Sequence, residues 1–397
     1  LETRDRVSIL GGGIAGCALA NRLAARGVNV TIIEAENQLA GAASSNPVAI
    51  GHPHFTRDQN LTSQLALQGY LYTRQTIERL QARGLNPGFH NSGMVVLPKS
   101  EKDHQRQQQI VEQNPPSPSL AQWQAAEDLS EQGQIPVSTE GWYLQQAGWL
   151  SLPSLCHALT QEYPDRIRVL TGCTVNEIRH QLDFWQLLDG SGETLHKCRQ
   201  LVLANGYDMH QLEPVSHLPL RANRGQVNYA RAAGHGVKPV LCAKGYTVPL
   251  DEDYLCFGSS YAPGEYEARI DAQNHRDNIE QLRSTFPELA EKIDDRDALG
   301  WSGVRTVLPD RLPLLGAVAK PEAFVSLYAP MFRGEIQHRQ DPTPVYPGLY
   351  VYTGLGSRSV AYSMICGEAL ACDLLGDPSP LPRRVRDALD VNRFLLR

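Results

Sequence analysis

Near its start the chain runs strand, glycine turn, helix, strand, acid, an order that few folds accommodate. Val7 to Leu10 is a short apolar run, and Gly11-Gly12-Gly13-Ile14-Ala15-Gly16 follows it directly. A helical pattern comes next, with Ala15, Ala18, Leu19 and Leu23 on one face and Gly27 as its stop. Val28 to Ile33 then reads as a buried strand rich in β-branched residues, ending at Glu34. In Gly11-x-Gly13-x-x-Gly16 the glycines allow a tight turn, a close backbone approach to a pyrophosphate and close helix packing on the sheet. The first-turn amides, including those of Ile14 and Ala15, favour negative charge. Glu34 stands where an acid accepts hydrogen bonds from a ribose, and its charge disfavours a 2′-phosphate, so a dinucleotide without that phosphate is expected.

Composition narrows the class. At 397 residues and 42% hydrophobic the chain can bury a large core, and length alone suggests two to three domain-sized units. Lys and Arg total 37 against 43 Asp and Glu, so a net charge of -6 gives no global reason to expect a polyanion partner. The eight cysteines show no CxxC pair and no Cys/His cluster, which fits reduced thiols in the cytoplasm. No apolar run approaches the roughly 20 residues of a membrane span, and the N-terminus does not read as a signal peptide.

Beyond Glu34 the pattern favours flavin over nicotinamide. A nicotinamide dehydrogenase would continue with regular βα units, whereas here Gly41-Ala42-Ala43-Ser44-Ser45-Asn46-Pro47 opens a polar loop. Residues 61 to 83 read as helix, the segment around Asn114 to Ser119 as loop, and strands recur at Arg168 to Leu170, Gln200 to Ala204, Gly225 to Tyr229, Tyr254 to Gly258 and Leu349 to Tyr352. Leu201-Val202-Leu203-Ala204-Asn205-Gly206 suits a strand returning beneath the nucleotide, with Ala204 and Gly206 at its end. Gly354-Leu355-Gly356-Ser357 leads into a helix from about Val360 to Leu375, a second helix N-terminus able to stabilise charge on a reduced flavin ring. The expected fold is α/β: a Rossmann-type, glutathione reductase-like FAD-binding domain over 1-85, 142-215 and 303-397, with an inserted antiparallel-sheet substrate domain over 86-141 and 216-302.

With these segments in view the chain resembles the glycine oxidase, sarcosine oxidase and D-amino acid oxidase superfamily, and within it the FAD domain of the MnmC-type bifunctional enzymes that modify the tRNA wobble uridine. The resemblance rests on the fingerprint, Ala43-Ser44-Ser45-Asn46 with Pro53 and Asp58, Gln146 to Leu150, Leu218-Pro219-Leu220-Arg221 leading to Arg224-Gly225-Gln226, and Gly303-Val304-Arg305 with Asp310, Pro313 and Gly316. Gly354-Leu355-Gly356-Ser357-Arg358 and the tail Ala388 to Phe394 point to the tRNA enzymes more than to a free amino acid oxidase. The chain departs from the pattern at Ala49, where glycine is usual, and near His52, where an aromatic is usual. His52 and His54 lack a carboxylate partner in sequence, and no metal is expected.

The resemblance implies non-covalent FAD, since no cysteine lies in Gly300 to Gly316. It implies oxidation of a secondary amine bearing a carboxymethyl group. Arg305 would hold the carboxylate, with a structural arginine as the alternative, and would also border the flavin. Tyr246 would face the substrate, with a core tyrosine as the alternative. The implied partner is tRNA, and the tail from Pro382 to Arg397, with Arg383, Arg384, Arg386, Arg393 and Arg397 against Asp387 and Asp390, is the candidate phosphate contact; a solvated amphipathic tail is the alternative. No second Rossmann region for a methyl donor is present, so a partner methyltransferase would be on another chain or segment. Two further functions remain open: a free amino acid oxidase, and a non-catalytic flavoprotein that binds tRNA or another partner.

Overall fold

The computed structural model describes residues 6–332, 334 and 342–395. The chain divides into two units: one built from the described residues of Leu1–Ala42, Cys156–Arg221 and Arg305–Arg397, the other from Ala43–Leu155 and Ala222–Val304.

The first unit is organised by a six-stranded sheet in the order Leu314–Ala319, Val345–Thr353, Leu201–Leu203, β1 (Arg6–Leu10), β2 (Asn29–Ile33), Ile167–Leu170. All neighbours are parallel except the edge strand Leu314–Ala319. Parallel strands are covered on both faces and read as continuous apolar runs, which is why Val7, Ile9, Leu10, Val30, Ile32, Ile33, Leu201, Val202 and Leu203 are all buried. On one side of β1 the chain adds β2 and Ile167–Leu170, and on the other it adds Leu201–Leu203 and Val345–Thr353. The crossover therefore reverses at β1, the kind of switch point where open α/β sheets bind ligands at their strand carboxyl ends. A three-stranded antiparallel meander, Glu177–Gln181, Phe184–Leu188 and Thr194–Cys198, joins this unit through Trp185, Leu187 and Cys198, which pack with Leu10, Ile33 and Leu203.

Helix α1 (Ile14–Ala24) differs from its expected one-sided pattern: every residue in it is buried. The helix Ser359–Leu375 crosses it so closely at Gly367 that an added Cβ would lie 3.2 Å from Ala18 C and Leu19 N. Its polar residues are satisfied inside. Asn21 donates to the carbonyl of Leu159 and to the carboxylate of Glu162, both at 2.8 Å.

The second unit holds an eight-stranded sheet in the order Asp294–Val307, Arg221–Arg231, Tyr254–Pro263, Tyr246–Pro249, Val240–Cys242, Met94–Val96, Gly141–Leu144, Gln122–Gln124. The sheet is mixed, not purely antiparallel as expected, because Val240–Cys242 pairs parallel with Met94–Val96. The first of these strands continues past Val304, so its last residues belong to the first unit.

The division differs from the expected boundaries. Residues 43–85, 142–155 and 303–304, expected with the nucleotide-binding domain, fall in the second unit, and 216–221 fall in the first. The reason is pairing distant in sequence. Ala49–Gly51 and Phe89–His90 both pair antiparallel with Gly148–Leu150. Helix Leu61–Ala82 is tied to the same region by Tyr70, whose hydroxyl donates to the Gln146 carbonyl at 2.6 Å.

Candidate functional site

In the first unit the sequence-predicted nucleotide residues gather at the carboxyl edge of the parallel sheet. Gly11 leaves β1 with φ +111°, and a Cβ there would come within 2.6 Å of the Ala204 carbonyl oxygen. The close approach of β1 to the end of Leu201–Leu203 thus demands glycine. A Cβ at Gly16 would strike the Gly11 carbonyl oxygen, so the helix can begin this near the strand only without one. Gly13, the N-cap of α1, is half-exposed; it supplies no side-chain cap, and the first turn carries no acid. The Ile14–Ala15–Gly16 turn is the positive end of the helix dipole, where negative charge is favoured.

Glu34 is buried at the end of β2. Its carboxylate accepts the Gly12 N–H at 2.5 Å and the Glu36 N–H at 2.9 Å. A carboxylate has about four acceptor positions, so two amides orient it and leave capacity for hydroxyl donors.

Farther along the edge, the strand that carries Arg305 comes in beside the two later glycine turns. An added Cβ at Gly206, φ +63°, would lie 3.4 Å from the Thr306 hydroxyl, and one at Gly356, φ +53°, 3.5 Å from a Val307 methyl. Arg305 itself is half-buried. Leu355 is buried, Ser357 is exposed, and the Arg358 guanidinium donates to the Tyr362 hydroxyl at 3.3 Å. Gly356–Arg358 forms one 3-10 turn ahead of the helix Ser359–Leu375, whose first turn has no side-chain cap and no acid. Thr306 and Val307 were missed by sequence reasoning; their only signal was adjacency to Arg305. Asp208, just past Gly206, was missed too. Burial raises its carboxyl above the usual range, and Glu36 adds to the effect.

The remaining predicted residues lie in the second unit. Ala43–Ser45 is a 3-10 turn. The Ser45 hydroxyl accepts from Trp301 Nε1 at 2.9 Å, and Asn46 is a buried turn residue whose Oδ1 accepts the Val48 N–H at 3.0 Å. Tyr246, on the strand Tyr246–Pro249, is half-buried and packs with Val227, Val248 and Cys256.

A family model described as DAO, FAD dependent oxidoreductase, matches residues 6–372. The chain belongs to this family of FAD-dependent oxidoreductases. FAD is accordingly its cofactor, and the carboxyl-edge residues fit such a dinucleotide: glycines where a Cβ would block, a helix N-terminus that favours negative charge, and a buried acid with acceptor positions to spare. As a DAO-family member the chain is 33% identical, over 98% of its own length and 60% of the other's, to the tRNA 5-methylaminomethyl-2-thiouridine biosynthesis bifunctional protein MnmC of Ralstonia nicotianae. It is 34% identical to the protein of the same name from Pseudomonas paraeruginosa, over 99% and 60% of the two chains. The chain thus spans about 60% of the length of the curated relatives it matches. Among solved structures its fold is similar to glycine oxidase from Geobacillus kaustophilus, with TM-score 0.76, 21% identity and 95% and 97% of the two chains covered. It is also similar to iminodiacetate oxidase from Chelativorans, with TM-score 0.75, 19% identity and 96% and 98% covered.

The tail is folded back into the first unit. Arg386 pairs with Asp373 at 2.7 Å, Arg393 with Asp310 at 2.9 Å and Arg383 with Asp387 at 3.7 Å. Arg397 lies outside the described residues. Most of the local positive excess read from the sequence is thereby met by carboxylates within the unit. Among the described residues no helix is long and apolar enough to cross a membrane.

Proposed function

We propose that the chain oxidatively removes the carboxymethyl group from carboxymethylaminomethyl-(2-thio)uridine at the tRNA wobble position, giving the aminomethyl nucleoside and glyoxylate. The observation that carries this reading is identity of about one third, over nearly the whole chain, to proteins named for biosynthesis of the methylaminomethyl nucleoside. FAD, when bound, supplies a two-electron acceptor for the C–H bond between the amine nitrogen and the carboxylate. The substrate loses a hydride and the amine a proton; water then adds to the C=N bond and releases amine and aldehyde.

The protein's part is binding and orientation. Arg305 holds the substrate carboxylate bidentately, aiming the reacting carbon, because a planar fork matches a carboxylate in a way an ammonium cannot. The place of its chain neighbours Thr306 and Val307 beside Gly206 and Gly356 supports that role. Gly11, Gly13, Ile14, Ala15, Gly16 and Glu34 hold the dinucleotide. Ala204, Gly206 and Gly354 to Arg358 border the flavin within the first unit. No strong general base is required if the amine reacts neutral. The relatives' product carries a methyl group on the amine, so the reaction calls for a methyltransferase to act next, on a fused segment or another chain. A tRNA substrate supports a cytoplasmic location for this work.

The test mixes purified holoprotein, without oxygen, with an anticodon stem-loop bearing carboxymethylaminomethyluridine and, separately, with glycine, sarcosine and D-amino acids. Bleaching of the oxidised flavin band by the RNA, with glyoxylate formed, is expected. Bleaching by a free amino acid alone would make the chain a small-molecule oxidase, and bleaching by none would make it a binding flavoprotein.

A further inference from the structure

Arg393 grips the turn that follows the strand carrying Arg305. Its Nε and Nη2 donate to the two carboxylate oxygens of Asp310, each at 2.9 Å. Its Nη1 reaches the Pro313 carbonyl and its Nη2 the Leu312 carbonyl, again at 2.9 Å, and Nη1 also meets the Asp390 carbonyl at 3.2 Å. The side chain is only 6% exposed. These contacts bracket Arg311, whose φ of +61° is uncommon for a residue with a Cβ and persists only where surrounding contacts impose it. The Asp310 carboxylate also accepts the Leu312 N–H at 3.2 Å, and the Arg311 N–H closes on the Leu308 carbonyl at 3.0 Å.

The gripped turn touches both sides of the candidate flavin edge. Upstream, Arg305, Thr306 and Val307 run straight into Leu308, with Thr306 and Val307 against Gly206 and Gly356. On its other side, Leu308 and Pro313 press on Gly354: a Cβ there would strike the Leu308 side chain and lie 3.5 Å from Pro313 Cα. A shift of the turn would therefore move Arg305 and the Gly354–Arg358 segment together.

We propose that Arg393 is a positioning residue for the oxidation: through Asp310 and the Leu308–Pro313 turn it sets where Arg305 presents its guanidinium to the substrate carboxylate. This rests on the reading of Arg305 given under Proposed function. A guanidinium is required because one planar fork serves a carboxylate and three carbonyls at once, whereas a lysine ammonium donates from a single point.

The experiment is a double-mutant cycle on flavin reduction by the modified stem-loop, with Arg393→Lys, Arg305→Lys and the pair, and with Asp310→Asn as a second route should Arg393→Lys fold poorly. Arg393→Lys or Asp310→Asn should lower kcat/KM about tenfold, chiefly through KM, with FAD occupancy and spectrum unchanged. In the Arg305→Lys background the same change should cost under about twofold, since both effects run through one path. Multiplying effects, or wild-type kcat/KM in both Arg393→Lys and Asp310→Asn, would overturn the proposal. Wild-type behaviour of Arg305→Lys would instead sink the Arg305 reading, and this proposal with it, in an arm that does not involve Arg393.

Discussion

The Gly12 amide and the Glu34 carboxylate meet at 2.5 Å, so the acid ending β2 is aimed by the glycine turn that follows β1. Glu34→Ala removes that acceptor, and the Glu36 amide loses its partner as well. An amide left unsatisfied in a buried site costs about 1–3 kcal/mol. Glu34→Ala should therefore lower the melting temperature of the apoprotein and also weaken FAD, as read by fluorescence titration. Unchanged FAD affinity would mean the acid serves only to hold the turn.

Gly13→Val should weaken FAD far more than Glu34→Ala does, because a branched side chain at the half-exposed helix start would stand in the approach to a pyrophosphate. Full flavin occupancy in this variant would place the cofactor elsewhere.

The flavin should be held without a covalent bond, since Gly300 to Gly316 contains no cysteine. Acid precipitation should leave a colourless pellet. A yellow pellet would count against this.

Arg305→Ala should slow flavin reduction at low substrate by on the order of a hundredfold or more, because removing the partner of a buried carboxylate typically costs about 3–5 kcal/mol. Arg305→Lys should recover part of the rate, and FAD should bind both variants normally. Reduction at the wild-type rate by the alanine variant would make Arg305 structural.

The tail arginines should separate into two groups. Reversing Arg383 and Arg384, the first of which is 95% exposed, should flatten the salt dependence of RNA binding by about one unit of slope for each phosphate that is no longer neutralised. Arg386→Glu should instead lower the melting temperature, since it sets a like charge against Asp373, whose carboxyl burial already pushes up. Equal salt slopes in all variants would move the RNA surface away from the tail.

The glycine spacing, the β-branched second strand and Glu34 were legible in the sequence because they answer local demands: a positive φ at Gly11, a helix start without a Cβ in its path, and strands buried on both faces. The same locality made the Leu61–Ala82 helix and the helix from Ser359 readable from their patterns. Grouping was a different matter. The placing of 43–85 and 142–155 with the second unit depends on Ala49–Gly51 and Phe89–His90 pairing with Gly148–Leu150, and no period within those short segments announces their partner. Nor could charge counting distinguish Arg384 from Arg386 and Arg393. The latter two are bound to Asp373 and Asp310, and such pairing arises only when the folded chain brings distant residues together. The sequence by itself determined the glycine turn after β1, because steric limits on a backbone act within a few residues. The tertiary structure alone decided which side chains stand beside that turn and which arginines remain free to meet a partner.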